Sequence, residues 1–152
     1  MANNPLNSLP FLGADPHFTT ISGISSGGFM AVQMHVAFSE TFKGVGVIAG
    51  GPYYCAKNSS DIAFTNCLQE PDNINVEELI DHTDSLKEKI DDTANLKHQP
   101  VWLFHGTKDT RRNRGVSDKL HDYYHNYGAN VQYIVDIDAE HVYPTELERN
   151  KN

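Results

Sequence analysis

Positive charge is scarce in this sequence. Lys and Arg number 12 against 20 Asp and Glu, a net charge of −8 with neutral histidines. That balance argues against an electrostatic grip on nucleic acid or anionic lipid, both of which need clustered cations. Long apolar runs are wanting too: no stretch reaches the roughly 20 residues a membrane-spanning helix needs. Internal repeats and low-complexity tracts are missing, which removes solenoids and extended linkers. Met1-Ala2-Asn3-Asn4-Pro5 lacks the basic start and apolar core of a signal peptide. Cysteine is limited to Cys55 and Cys67. Without a histidine nearby they make a poor zinc site. Close together in a polar segment, they read as a disulfide and hence as a secreted or periplasmic setting; two free thiols in a cytosolic chain are the alternative.

What is present suits one core: 152 residues, 39% hydrophobic and 21% charged. Residues 1–17, rich in Pro and Asn, are expected on the surface. Residues 19–22, 44–49, 101–104 and 131–137 are expected as strands, and Gly44-Val45-Gly46-Val47-Ile48-Ala49 has the unalternating apolar run of a buried parallel strand. Between them the apolar spacing predicts helices over 29–38, 76–90 and 115–127, the last closed by Gly128. Strand and helix alternate, so the expectation is an α/β fold with a parallel sheet and right-handed crossovers. His35, within the first helix, reads as a core residue without a role.

Gly23-Ile24-Ser25-Ser26-Gly27-Gly28 lies between the first strand and the first helix. Its G-x-S-x-G pattern is that of a nucleophile elbow, in which a strained turn lifts the serine hydroxyl clear of the sheet. Side chains at Gly23 or Gly27 are expected to collide with the adjoining strand and helix. A serine needs an imidazole to take its proton, and the imidazole needs a carboxylate on its other nitrogen. Asp109 follows the third strand and His141 the fourth, so Ser25, Asp109 and His141 share the C-terminal edge of the sheet. The order Ser, Asp, His is that of α/β-hydrolases. His17, His82, His98, His105, His121 and His125 compete less well with His141, as do Asp118, Asp122, Asp136 and Asp138 with Asp109. Tyr53 and Tyr54, after the second strand, have two open readings, pocket lining or loop cover.

The segments Thr20–Gly28, Ile48-Ala49-Gly50-Gly51-Pro52-Tyr53-Tyr54-Cys55, His105-Gly106-Thr107-Lys108-Asp109 and Ala139-Glu140-His141 resemble those of polyhydroxybutyrate (PHB) depolymerases of the single-domain, circularly permuted α/β-hydrolase type. The resemblance runs from about Leu9 to Glu146. It implies Ser25 as nucleophile, Asp109 as orienting acid, His141 as base and the Ser26 backbone N–H as an oxyanion donor. Two departures stand out. Arg111-Arg112-Asn113-Arg114 crowds Asp109 with positive charge, which would hold it ionised or draw it into salt bridges. The chain also ends soon after His141, where family members continue.

Few residues precede Ser25, so the strands that would flank the elbow, and the loop carrying a second oxyanion N–H, have no place upstream. Residues 1–152 are therefore expected to form a single, partial α/β-hydrolase domain. Its elbow strand is expected at a sheet edge, open to self-association. A missing oxyanion donor would cost about 10²–10³ in rate. The function expected is a serine esterase acting on polyester or short aliphatic esters, with no metal or organic cofactor. A catalytically silent module binding polymer or a partner chain is one alternative. An acyltransferase on the same triad is the other.

Overall fold

A computed structural model describes residues 12–147; the expectation for the first eleven residues lies outside them, while residues 12–17 are exposed. Four strands form one parallel sheet in the order β1 (Ile21–Ile24), β2 (Val45–Ile48), β3 (Pro100–Phe104) and β4 (Asn130–Ile134). The helices between them are α1 (Ser26–Ala37), α2 (Ser60–Phe64), α3 (Val76–Ser85) and α4 (Arg114–Asn126). This is the expected α/β sheet. Among the described residues β1 pairs only with β2, so the elbow strand is an edge strand, also as expected.

Side-chain alternation along the strands sorts the core into two parts. Val45, Val47, Val101 and Leu103 pack with Ala31, Val32 and Val36 of α1, Leu79 of α3, and Leu120, Tyr123 and Tyr124 of α4. On the other face Ile48 and Phe104, flanked by Ile24, Trp102 and Ile134, gather with Ala139 and Val142 from the chain after β4. The helices of this core thus cover one face. The other is covered, at its C-terminal end, by the segment that carries His141.

Local chemistry sets most boundaries. The side chains of Ser59, Asn75 and Asn113 accept from the backbone N–H groups of Ile62, Glu78 and Gly115, capping α2, α3 and α4. Four expected elements are displaced, among them β4, which starts at Asn130 and ends at Ile134, three residues short of its pattern. β1 starts and ends two residues later than its pattern suggests, because the strand must run up to Ser25 for Ile24 to stand opposite Ile48. α1 begins three residues earlier, directly after the elbow. α3 stops at Ser85, where the Leu86 N–H bonds to the Thr83 carbonyl, and a turn carries Leu86 and Ile90 onto the core instead of a continuing helix.

Candidate active site

Ser25 stands between the last residue of β1 and the first of α1, with φ 56° and ψ −123°. That backbone region costs a non-glycine residue about 1–3 kcal/mol. Bonds on both sides hold it there: the Ser25 N–H donates to the Ile48 carbonyl (2.9 Å), and the Ser25 carbonyl accepts from the Phe29 N–H (3.0 Å). A Cβ on Gly23 would overlap the carbonyl oxygen of Gly27, so the turn closes only over glycine at that position. Gly27 is different. A Cβ there meets nothing within 4 Å, which corrects the expectation that both flanking glycines are sterically required. Ser26 opens α1, so its N–H is among those with no acceptor inside the helix.

Asp109 and His141 meet. His141 Nδ1–H donates to Asp109 Oδ2 at 2.7 Å, on a carboxylate whose side chain is 1% exposed. The other oxygen, Oδ1, accepts the backbone N–H groups of Arg111 (2.9 Å) and Arg112 (3.0 Å). The two loops are laced together. The N–H groups of Thr107 and Lys108 donate to the carbonyls of Ile137 and Ala139, and the Thr107 hydroxyl and Lys108 ammonium both reach Asp138. Those two partners hold the Asp138 carboxyl below its usual range. The approach is close enough that a Cβ on Gly106 would overlap the Ala139 carbonyl. With its Nδ1 proton on Asp109, His141 presents the Nε2 lone pair, which has no hydrogen bond among the described residues.

Ser25 is not yet joined to that pair. Its Oγ accepts a hydrogen bond from Arg112 Nη2 at 2.9 Å, and none links it to His141. The arginines also depart from expectation. No guanidinium forms an ion pair with Asp109 among the described residues; backbone N–H groups satisfy the carboxylate, and Arg114 pairs with Asp118 (3.6 Å). Burial pulls the Arg112 guanidinium below the ordinary arginine range, and the nearby Asp109 charge pushes back. His105 also stands beside the pair. It is buried, its Nδ1 lies 2.9 Å from Ser117 Oγ, its Nε2 3.3 Å from the Arg112 carbonyl, and Asp109 Oδ2 is 3.7 Å away. Burial lowers its pKa against the pull of Asp109. The one sequence signal for it was its place at the end of β3.

Beside the elbow lies a cavity of about 410 Å³. Its walls are mainly apolar: Phe29 and Met30 of α1, Phe64 of α2, Leu68 and the Cys55–Cys67 disulfide, with Ser26 and Arg112 at the Ser25 end. α2, which was not among the expected helices, forms one wall. The tyrosines divide the two readings: Tyr54 lines the cavity and stacks on His82 (3.7 Å between ring centroids), whereas Tyr53 is buried in the core.

Residues 13–152 match the prolyl oligopeptidase family. The chain belongs to that family. The resemblance to PHB depolymerases is also a homology. The chain is 47% identical over 144 residues to a poly(3-hydroxybutyrate) depolymerase of Delftia acidovorans, covering 91% of this chain and 29% of the relative. It is 34% identical to a polyhydroxybutyrate depolymerase of Talaromyces funiculosus, covering 92% of this chain and 41% of the relative. The crystal structure of a PHB depolymerase from Penicillium funiculosum superposes with a TM-score of 0.78 at 33% identity, over 88% of this chain and 42% of that one. This family member therefore spans less than half the length of these relatives. An acylaminoacyl peptidase of Pyrococcus horikoshii shares the architecture at a TM-score of 0.51 and 25% identity, over 84% of this chain and 20% of that one.

Proposed function

We propose that this protein is a serine esterase of polyhydroxybutyrate or related short aliphatic esters, with Ser25 as nucleophile, His141 as base and Asp109 as orienting acid. The observation that carries the reading is the 2.7 Å bond from His141 Nδ1 to a buried Asp109, on the sheet edge where Ser25 is held in an elbow. The base is thereby fixed in the tautomer that can accept a proton.

Ser25 Oγ attacks the ester carbonyl while its proton passes to His141 Nε2; the Ser26 N–H, at the start of α1, receives the developing oxyanion. For that transfer the loop bearing His141 closes on Ser25, since catalytic hydrogen bonds commonly tighten only with substrate bound. The alcohol leaves with the proton from His141, and water then hydrolyses the acyl-enzyme by the same route in reverse. The apolar cavity beside Ser25 suits an aliphatic acyl chain. Met30 and Phe64, both largely exposed, extend that surface outward and suit contact with a polymer. The family name points to peptides, but relatives at 47% and 34% identity are named for polyester, and the cavity walls are mainly apolar. The disulfide fits an oxidising, secreted or periplasmic compartment.

The test is labelling with a fluorophosphonate, followed by hydrolysis of 3-hydroxybutyrate oligomers. Ser25→Ala is expected to abolish both with an unchanged circular-dichroism spectrum. Labelling of Ser25→Ala at the wild-type rate would move the nucleophile elsewhere.

A further inference from the structure

Arg112 touches three parts of the candidate site at once. Its N–H donates to Asp109 Oδ1 (3.0 Å), its carbonyl faces His105 Nε2 (3.3 Å), and its Nη2 donates to Ser25 Oγ (2.9 Å). With the backbone tied at both groups, the guanidinium is presented by a fixed stem. It lines the same cavity as Ser26. No ion pair neutralises it among the described residues: Asp109 lends its field, but the two carboxylate oxygens are occupied by His141 and by backbone N–H groups. Arg112 Nε is buried without a partner. A half-buried cation so poorly matched within the fold favours an anion arriving beside Ser25.

Resting on the esterase reading above, we propose that Arg112 is a catalytic residue, whose guanidinium donates to the ester carbonyl oxygen as that oxygen becomes anionic, alongside the Ser26 N–H. In the attack a bond forms between Ser25 Oγ and the carbonyl carbon, and the C=O π pair moves onto oxygen. The hydroxyl proton goes to His141. Arg112 occupies an Oγ lone pair, so it does not compete for that proton. The oxyanion forms on the carbon bonded to Oγ, so a donor already on Oγ has only to follow the charge to the neighbouring oxygen. When the intermediate collapses, the pair returns to C=O and the alcohol departs with the His141 proton. On this assignment one of the oxyanion donors is a side chain, beside the Ser26 N–H. The same contact holds the product carboxylate, so acid products are expected to inhibit.

The experiment measures the second-order rate of phosphonylation by an alkyl fluorophosphonate for the whole chain and for Arg112→Gln, Arg112→Gly and Ser25→Ala. Arg112→Gln is expected to react on the order of 10²-fold more slowly, with an unchanged thermal midpoint. Ethylguanidinium is expected to restore much of the rate to Arg112→Gly. Wild-type reactivity in Arg112→Gln overturns the assignment, and so does a slow Arg112→Gly variant indifferent to ethylguanidinium, which would make the side chain a structural prop. Loss of the proposal through its foundation looks different: Ser25→Ala would then react like wild type.

Discussion

Buried His35 shows how hydrogen-bond partners decide a charge state. Gln99 Nε2 donates to the Ser39 carbonyl (2.9 Å), which fixes its amide; Gln99 Oε1 therefore accepts from His35 Nε2–H (2.6 Å), leaving His35 Nδ1 to accept from the Tyr124 hydroxyl (2.9 Å). His35 is thus neutral, and burial pulls its pKa down to about 4. The sign follows. Above pH ~6.5 neither folded nor unfolded chain carries the proton; below it the unfolded chain accepts one that the folded chain refuses. Stability is therefore lost as pH falls from ~6.5 towards 4, by about 1.4 kcal/mol per pH unit for this one group. His105 is shifted in the same direction. In urea titrations, His35→Gln is expected to flatten the acid limb by one proton relative to wild type. Identical slopes would mean that His35 is charged in the native state.

At the scale of elements, the elbow makes an asymmetric demand on its two glycines. Gly23→Ala drives a methyl group into the Gly27 carbonyl and is expected to unfold the turn or abolish labelling of Ser25. Gly27→Ala enters open space on a helix and is expected to be neutral or slightly stabilising, since alanine favours helix by about 1 kcal/mol over glycine. A neutral Gly23→Ala would show that the turn can reopen. The Cys55–Cys67 disulfide closes a short loop that contains α2 and one cavity wall. On the chain-entropy view, paired Cys→Ala changes are expected to remove about 2–4 kcal/mol of unfolding free energy. They are also expected to raise KM more than they lower kcat, because the wall moves and the Ser25 turn does not. An unchanged KM would detach the α2 wall from substrate binding.

At the scale of the molecule, the sheet is unevenly clothed. α1, α3 and α4 cover one face, β1 is an edge strand among the described residues, and Trp102 on the second face stacks on Phe104 within the strand (5.9 Å). A short edge strand with free backbone groups, beside an apolar face, favours pairing with another chain. Sedimentation velocity is expected to show a rising weight-average mass with concentration, despite the net charge of −8. A monomer at every concentration would count against that pairing.

The sequence by itself determined the parallel α/β order, the elbow at Ser25 and the shared edge of Asp109 and His141, because apolar runs and glycine punctuation are local and a parallel sheet puts its loops in a known place. It also pointed to the disulfide, through two cysteines with no competitor. Only the tertiary structure decided which polar groups touch. Four charged residues lie at Asp109, Arg111, Arg112 and Arg114, and their composition alone suggests salt bridges. The turn instead aims backbone N–H groups at the carboxylate and sends the Arg112 side chain to Ser25, 87 residues away. His105 entered the site the same way, through Ser117 on α4 and the carbonyl of Arg112. Direction is set by φ, ψ and packing across distant segments, and no residue spacing encodes it.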